Sequence, residues 1–360
     1  MARRRGRDPG DADRRRQLLC AAVDRHRRVR GGRGLTRFLE RTPPVSKTIP
    51  GAARKYDRLI AQVRELPPAV TAVAHPCSPG ALEGATDAAE LGLIVPILVG
   101  PREKIAATAR EAGIDVSRYE IVDAAHSHEA AEKAVALVRE GRAEILMKGS
   151  LHTDELLAAV VRRESGLRTE RRLSHCFIMD VPGHDNVLAI TDAAINIAPT
   201  LEEKVDIVQN AIDLMHAIGN EAPKVAILSA METVNPKLLT TIEAAALCKM
   251  AERGQITGGV LDGPLAFDNA ISPDAARIKG IGGPVAGQAD VLVVPDLEAG
   301  NMLAKSLTFL MDADSAGIVL GARVPIILTS RADSVESRLA SCAVAVLMSA
   351  HRKRVAPVSG

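Results

Sequence analysis

The chain has 360 residues, of which 47% are hydrophobic and 25% are charged, a balance that excludes a largely disordered protein. Residues 1–41 hold 14 Arg and five acidic residues, a net charge of +9, whereas the other 32 basic and 39 acidic residues give residues 42–360 a net charge of −7. The overall charge of +2 and the pI of about 8.3 therefore come from the N-terminal segment, and they do not indicate a nucleic-acid-binding surface over the whole chain.

Other features of the composition exclude further classes of protein. Aromatic residues make up 2% of the chain and Trp is absent, so stacking platforms for single-stranded nucleic acid are not expected. The five cysteines form no CxxC pair, which predicts neither a disulfide framework nor a zinc site. No apolar run approaches the roughly 18 residues of a membrane span. We expect a cytoplasmic protein with reduced thiols, no metal and no membrane contact.

The first 50 residues predict a basic, disordered arm. Arginine runs alternate with glycine in this segment, and Pro43-Pro44 follows them. A solvated tail is the simplest interpretation, and binding of RNA or a membrane surface by the arm is the alternative. Nucleic acid is not an expected partner of the remainder of the chain.

From about residue 55 the sequence alternates regularly between apolar runs rich in β-formers and helical patterns. Strands are predicted over 70–75, 93–99, 119–123, 145–148, 175–181, 187–191, 224–229, 258–261, 290–294, 317–320 and 324–329. Helices are predicted over 101–112, 127–140, 153–164, 200–218, 236–252 and 333–351. This alternation favours an α/β fold with mostly parallel strands.

One run departs from the alternation. The strands over 175–181 and 187–191 are separated only by Pro182-Gly183-His184-Asp185-Asn186, a turn-forming segment that predicts a hairpin. A hairpin in the middle of the chain fits a junction between domains or a contact between two copies.

The predicted strand ends carry the candidate functional residues. In open α/β sheets, ligands bind beyond the carboxyl ends of the strands. Six of these ends are rich in Gly, Ser, Asp and Asn with isolated cations, namely 147–153, 191–196, 229–233, 261–268, 295–301 and 329–334. The pair Ser330-Arg331 lies between an apolar strand and a long helix, where N–H groups and the guanidinium favour phosphate. Asp333 or Ser334 is the candidate N-cap of that helix.

The glycine-rich and acidic segments have less specific interpretations. The run from Lys148 to Thr153 lacks the GxxxxGK[ST] pattern of a P-loop, and no GxGxxG follows the first strand. The best-placed acids for metal or catalysis are Asp192, Asp262, Asp268 and Asp296, with capping and turn roles as the alternative.

Five of these segments, in the same order, resemble the phosphate acetyltransferase/phosphate butyryltransferase family: 147–153, 190–196, 261–268, 294–301 and 329–334. The resemblance covers roughly residues 55–352, and it is greatest to the transferase half of bifunctional enoyl-CoA hydratase/phosphate acetyltransferase proteins. Residues 1–50 are too short for the hydratase domain of such proteins, so hydratase activity is not expected.

The resemblance implies a fold, a reaction and an assembly. The fold is a two-domain α/β structure with mostly parallel sheets, like isocitrate and isopropylmalate dehydrogenases, and the protein is a homodimer. The first domain would comprise residues 51–170 plus 323–354, and the second would comprise 171–322 with the hairpin. The reaction is acyl-CoA + phosphate ⇌ acyl phosphate + CoA, with acetyl to butyryl groups transferred directly in the interdomain cleft and CoA as a substrate rather than a cofactor.

The resemblance also assigns roles to residues. Ser330 and Arg331 would stabilise the phosphate or the oxyanion, and Asp333 or Glu336 would act as the base unless the thiol proton passes directly to phosphate. The substrate-binding candidates are Lys148, Gly149, Ser150, Thr153, Asp192, Asn196, Asp262, Gly263, Asp268, Glu298 and Asn301.

Two positions depart from the acetyl branch of the family. That branch has a catalytic aspartate where this chain has Ser337, and an arginine in the helix that here runs Asp154-Glu155-Leu156-Leu157-Ala158. Arg162 and Arg168 are the candidate substitutes for the arginine. Both departures resemble the butyryl branch.

Two alternative functions remain open from the sequence. A non-catalytic protein that binds CoA or acyl phosphate would explain the missing aspartate and arginine, and it would bind CoA without turnover. An NAD-dependent decarboxylating dehydrogenase of the same fold would produce NADH, but it would need an arginine cluster that residues 140–330 do not supply in suitable form.

Overall fold

The computed structural model describes residues 55–329 and 333–355, which belong to one compact unit spanning residues 49–360. The predicted arm over 1–50 and the candidate pair Ser330-Arg331 lie outside the described residues.

Strands and helices alternate along the described part of the chain. The strands are β1 (Ala69–Ala74), β2 (Ile94–Gly100), β3 (Glu120–Asp123), β4 (Ile145–Lys148), β5 (Ser174–Asp180), β6 (Leu188–Thr191), β7 (Lys224–Leu228), β8 (Val260–Leu265), β9 (Val291–Val293), β10 (Asp314–Leu320) and β11 (Ile326–Ile327). The helices are α1 (Lys55–Val63), α2 (Pro79–Glu90), α3 (Arg102–Ala112), α4 (Ser127–Arg139), α5 (Thr153–Val160), α6 (Leu201–Ala217), α7 (Leu239–Glu252), α8 (Phe267–Ile271), α9 (Pro273–Ile278), α10 (Leu297–Leu310) and α11 (Val335–Val355).

The strands form one sheet in the order β3-β2-β1-β4-β11-β10-β5-β6-β9-β7-β8. Neighbours are parallel at both ends of the sheet, from β3 to β11 and from β6 to β8. The three central pairings, β11 with β10, β10 with β5 and β5 with β6, are antiparallel. The expectation of an α/β fold with mostly parallel strands is confirmed, and so is the hairpin, formed by β5 and β6.

The central pairings reverse the strand direction between the two ends of the sheet. The carboxyl ends of β1, β4 and β11 lie at one edge, which we call the first edge. The carboxyl ends of β6, β7, β8 and β9 lie at the opposite edge, which we call the second edge. The candidate residues are therefore divided between two places.

The two faces of the sheet are packed differently. One face carries a continuous apolar cluster, which includes Val73 of β1, Ile178 of β5 and Ile227 of β7. On the other face two clusters are separate, one including Leu146 of β4 and the other Leu292 of β9. Since side chains alternate along a strand, the neighbours of Ile178 on β5 lie on this second face, where Met179 belongs to the cluster of Leu292 and Phe177 packs against it. The boundaries of the two domains stay a prediction.

The predicted elements agree closely with the observed ones, and the differences lie at their ends. Strand β8 continues to Leu265, so Asp262 and Gly263 lie within a strand rather than after it. Helix α5 ends at Val160 instead of 164, because the carbonyl of Val160 accepts a hydrogen bond from the Leu167 N–H in the following turn. Helices α1, α2, α8, α9 and α10 were not among the predicted segments.

Candidate functional site

The first edge brings the loop that begins at Lys148 beside the end of β11. Ala74 of β1 pairs with Lys148 of β4, and Met147 of β4 pairs with Ile327 of β11. The residues that follow these three strands therefore start at the same level of the sheet. Thr329, the last described residue before the candidate pair Ser330-Arg331, is one of them.

Gly149 and Ser150 turn tightly against the end of β1. The Gly149 N–H donates to the Ala74 carbonyl oxygen at 2.9 Å, and the Ser150 N–H donates to the His75 carbonyl oxygen at 2.9 Å. A Cβ at position 149 would lie 2.6 Å from that His75 oxygen, a distance that real Cβ atoms essentially never show. Only glycine lets the loop approach this closely.

Lys148 is buried at the start of the same loop. Its Nζ donates to the carbonyl oxygens of Gly149 and Leu151 at 3.2 and 3.3 Å, which fixes the ammonium group within the loop. Thr153 is the first residue of α5, so the loop ends at the positive end of a helix dipole. A fixed cation and a helix N-terminus on one loop favour an anionic group nearby.

His75 is a first-edge residue that the sequence interpretation missed. It follows β1 in a left-handed conformation with φ 54°, and its Nδ1 lies 3.0 Å from the Ser150 Oγ. Burial lowers the pKa of this histidine, and Lys104 lowers it further, whereas Glu155 raises it. The available signal was its position as the last residue of the first predicted strand, over 70–75, directly before Pro76.

The start of α11 is anchored at the first edge. The Ser334 Oγ accepts a hydrogen bond from the Ser337 N–H at 3.0 Å, so Ser334 rather than Asp333 is the N-cap. The Ser337 Oγ accepts from the N–H of Ser315, at the beginning of β10, at 3.3 Å. Ser337, which stands where the acetyl branch has an aspartate, thus joins the helix to the sheet. Asp333 is half-buried and Glu336 is exposed beside it.

At the second edge, Asp192 organises the loop after β6. Its carboxylate accepts hydrogen bonds from the N–H groups of Ala194 and Ile195 at 2.9 and 3.0 Å, and from the Asn196 side chain at 2.5 Å. The N–H of His175 adds another at 3.2 Å. These donors satisfy the hydrogen-bonding capacity of the buried carboxylate, so the structure explains Asp192 as a support of the loop.

Glu298 and Asn301 lie on α10, beside the same loop. The Asn301 side chain donates to the Ala193 carbonyl oxygen at 3.3 Å, and Glu298 is exposed in the first turn. A Cβ at Gly300 would lie 2.8 Å from the Asp192 carbonyl oxygen, so the helix packs closely on the loop.

The remaining candidates lie on and after β8. The Asp262 carboxylate accepts from the N–H of Gly263 at 2.8 Å. Asp268 is exposed and pairs with the Nζ of Lys279 at 3.0 Å, and Lys279 also bonds Glu232 at 2.6 Å. The Lys279 hydrogen bonds lower the pKa of both carboxyl groups. Lys279 was not among the predicted residues, and Glu232 was included only as part of the segment 229–233. The contact between them joins residues that are 47 positions apart in sequence.

The structure does not bring the two groups of candidates together. Lys148 on β4 and Asp192 after β6 are separated by four strand spacings, roughly 19 Å at about 4.8 Å per strand. Arg168 lines a cavity of about 330 Å³ with Asn196, away from the Lys148 loop. Arg162 is paired with Glu132 at 2.6 Å on the surface.

Between the two apolar clusters, the central strands carry a buried histidine. His175 of β5 stacks edge-on against Phe177 with a ring-centroid distance of 4.4 Å. Burial lowers its pKa to about 4, so the ring is neutral at neutral pH. Its Nδ1 has no hydrogen-bond partner among the described residues.

The described residues form neither a metal-binding cluster nor a membrane-spanning helix. Residues 55–329 and 333–355 contain no group of three or more His, Cys, Asp or Glu side chains placed to hold a metal ion. Within the same ranges, no helix has the length and apolar character needed to cross a membrane. Cys77, Cys176, Cys248 and Cys342 are free thiols.

The comparison with protein families decides the identity of the chain. A profile described as phosphate acetyl/butaryl transferase matches residues 126–346, more than half of the chain. The chain belongs to this family. The expected family and an acyltransferase enzyme are therefore confirmed, and neither the dehydrogenase nor the non-catalytic binding protein is favoured.

Individual members of the family match over most of the chain. The phosphate acetyltransferase of Rhizobium meliloti is 69% identical over 304 residues, which cover 84% of this chain and 96% of that protein. The phosphate butyryltransferase of Clostridium acetobutylicum is 42% identical over 299 residues, covering 83% of this chain and 99% of that protein. The crystal structure of a branched-chain phosphotransacylase from Enterococcus faecalis V583 has 32% identity and a TM-score of 0.69, covering 78% of this chain and 99% of that one.

Proposed function

We propose that this protein catalyses acyl-CoA + phosphate ⇌ acyl phosphate + CoA by direct transfer, without a metal or a further cofactor. The observation that carries the proposal is the first edge, where the Lys148 loop lies beside the end of β11. The motif pair Ser330-Arg331 follows directly in sequence. One sheet edge then supplies a buried ammonium group and a helix N-terminus, and the motif arginine follows the described end of this edge in sequence.

The reaction needs such groups because it passes through a tetrahedral oxyanion. The CoA thiol attacks the carbonyl carbon of the acyl phosphate, and phosphate attacks the thioester in the reverse direction. A positioned cation or N–H donor at the oxyanion is typically worth about 10²–10³ in rate. We assign this role to Arg331 and Ser330, and we assign phosphate binding to Lys148 with Gly149, Ser150 and Thr153.

The second-edge residues have a different part in the proposal. Asp192 and Asn196 use their polar atoms to hold the loop after β6, and Asn301 supports the same loop. We propose that they support the structure of the second edge and do not contact the transferred group. Glu298 and Asp268 are exposed, so they remain open to contact with the distal parts of CoA.

We further propose acetyl as the preferred acyl group. The support is that the relative at 69% identity is a phosphate acetyltransferase, whereas the phosphate butyryltransferase is 42% identical. A series of kcat/KM values from acetyl-CoA to butyryl-CoA tests this preference, which a maximum at butyryl-CoA would contradict.

A cytoplasmic homodimer is the proposed form of the protein. Four free thiols fit a reducing compartment. Exposed apolar side chains near the end of α10, including Phe309 and Leu310, fit a contact with a second copy.

The proposed activity is tested by release of free CoA from acetyl-CoA in the presence and absence of phosphate. We expect phosphate-dependent release, and we expect Arg331→Ala to lower kcat/KM by about a hundredfold or more. Arg64→Ala, a change on the surface just beyond α1, is the matched control and should retain normal turnover. If no short-chain thioester gives phosphate-dependent CoA release, the proposed function is wrong.

A further inference from the structure

His75 is held in an unusual conformation at the first edge. Its φ of 54° lies in the left-handed region, which costs a non-glycine residue of order 1 kcal/mol. Three backbone hydrogen bonds fix this conformation. The His75 N–H donates to the Val99 carbonyl oxygen at 2.7 Å. The His75 carbonyl oxygen accepts from the N–H groups of Cys77 at 2.8 Å and Ser150 at 2.9 Å. The conformation is thus imposed by the ends of β1, β2 and β4.

The contact with Ser150 determines which ring nitrogen carries the proton. The Ser150 hydroxyl has a single proton, and it donates this proton to the His75 carbonyl oxygen at 2.8 Å. The Ser150 Oγ therefore accepts from the ring, so the proton is on Nδ1, at 3.0 Å. The lone pair is then on Nε2, to which no described residue donates a hydrogen bond.

The charges around His75 favour a neutral ring that can accept a proton. Burial lowers its pKa first and Lys104 of α3 lowers it further, so the ring is neutral at neutral pH. Glu155 of α5 acts in the opposite direction and would stabilise the imidazolium once it forms. Lys148 is the last residue of the neighbouring strand β4. Burial raises the pKa of the Cys77 thiol to about 11, so this thiol does not compete as a base.

We propose that His75 Nε2 is the general base that accepts the proton of the CoA thiol. The inference rests on the proposed acyl transfer and names a residue outside the motifs. In the direction of acyl-CoA formation, the S–H proton passes to Nε2 as the sulfur bonds to the carbonyl carbon. The bond from that carbon to the phosphate oxygen then breaks, its electron pair leaves with phosphate, and the imidazolium gives its proton to that phosphate. In reverse, neutral His75 takes the proton of HPO₄²⁻ as the phosphate oxygen bonds to the carbonyl carbon, and the imidazolium gives this proton to the departing sulfur.

The assignment also accounts for Ser337. The serine at this position binds the Ser315 N–H and supplies no carboxylate. A neutral imidazole after β1, at the same edge of the sheet, removes the need for one. Asp333 and Glu336 are then not required as bases.

The decisive variant is His75→Asn. Asparagine tolerates the left-handed conformation, and its amide N–H₂ replaces the Nδ1 donor to Ser150, but it has no counterpart of the Nε2 lone pair. We expect kcat with acetyl-CoA and phosphate to fall by about 10²–10⁴ while KM changes little. We also expect the acidic limb of the pH profile of kcat/KM to disappear. The readout is CoA release between pH 4 and 9.

The wild-type pH profile tests the same inference without a variant. Activity should fall as the pH decreases through a pKa below the usual 6.5 of histidine, because protonated His75 is no longer a base. A limb at the pKa of an ordinary carboxyl group, about 4, would assign the base to Asp333 or Glu336 instead.

The controls separate the possible failures. His184→Asn changes a half-buried histidine in the hairpin turn and should leave activity unchanged. The role of His75 alone is overturned if the wild-type protein is active, the activity of His75→Asn lies within about threefold of the wild-type activity, and the acidic limb of the pH profile is unchanged. Absence of phosphate-dependent CoA release by the wild-type protein overturns the proposed function, and the role of His75 with it.

Discussion

Gly149 shows how one residue type determines the geometry of the proposed site. A Cβ at this position would lie 2.6 Å from the His75 carbonyl oxygen, so the loop and the end of β1 would have to separate. We expect Gly149→Ala to lower the free energy of unfolding by about 3 kcal/mol, the upper part of the usual range for overpacking. Urea unfolding measures the difference.

Gly282→Ala is the matched control for that substitution. A Cβ at Gly282 would have no heavy atom within 4 Å, and its φ is not in the left-handed region. The free energy of unfolding should change by less than about 1 kcal/mol, with stabilisation as the usual direction. Equal effects of the two substitutions would contradict the proposed crowding at Gly149.

The residues that the sequence identified all lie in a local pattern, such as a polar segment that directly follows an apolar strand. Lys148, Gly149 and Ser150 were nominated because they follow an apolar strand, and the structure places them at a strand end. His75 has the same position but contacts Ser150, which is 75 residues away in sequence. A contact between segments this distant is fixed by strand pairing, which no local pattern specifies.

At the scale of elements, apolar runs predicted the strands well because buried parallel strands are continuous stretches of Val, Ile, Leu and Ala. The ends of helices were predicted less well. Helix α11 begins at Val335, where the Ser334 hydroxyl caps it, and not at residue 333. From the sequence alone the preceding side chains could equally serve as caps. In the folded chain the cap is Ser334, whose hydroxyl also donates to Asp314 Oδ1 at 3.3 Å.

Helices α6 and α7 are joined by a buried ion pair whose loss should be costly. Lys204 Nζ lies 2.5 Å from Glu243 Oε2, and the two side chains are 6% and 13% exposed. We expect Lys204→Met to destabilise the protein by about 3–5 kcal/mol because it leaves a carboxylate buried without its partner. Adding Glu243→Leu should recover most of this loss, and a double-mutant cycle by urea unfolding measures the coupling.

The exposed pair Lys249 and Glu252 provides the comparison. Their side chains are 61% and 62% exposed, so solvent screens the attraction. Lys249→Met should change the free energy of unfolding by less than about 1 kcal/mol. Similar losses at Lys204 and Lys249 would show that burial does not determine the strength of the α6–α7 pair.

At the scale of the whole molecule, α10 presents an apolar face that the described residues do not cover. Met302 and Phe309 are spaced by seven residues and therefore lie on one face, with exposed fractions of 63% and 70%. Leu310 continues this face at 80% exposure. Exposed apolar patches of this kind mark interaction sites, and a second copy can use the same patch in a symmetric dimer.

We expect the doubly substituted Phe309→Glu, Leu310→Lys protein to be monomeric where the wild-type protein is a dimer. Sedimentation equilibrium measures the mass directly. Val355→Lys removes a comparably exposed apolar side chain, 70%, at the end of α11 and should leave the dimer intact. A wild-type monomer, or a dimer that persists in the double variant, excludes this interface.

The sequence by itself determined the α/β class, nearly all strand positions, the family and the motifs, because each of these follows from local hydrophobic periodicity or from short sequence segments in a fixed order. The tertiary structure decided which motifs lie close together. Antiparallel pairing of β10 with β5 and β11 reverses the strand direction in mid-sheet, so the Lys148 loop and the Asp192 loop lie at opposite edges. Strand order and direction depend on packing between distant segments, and for that reason His75 and its serine partner become visible only in the folded chain.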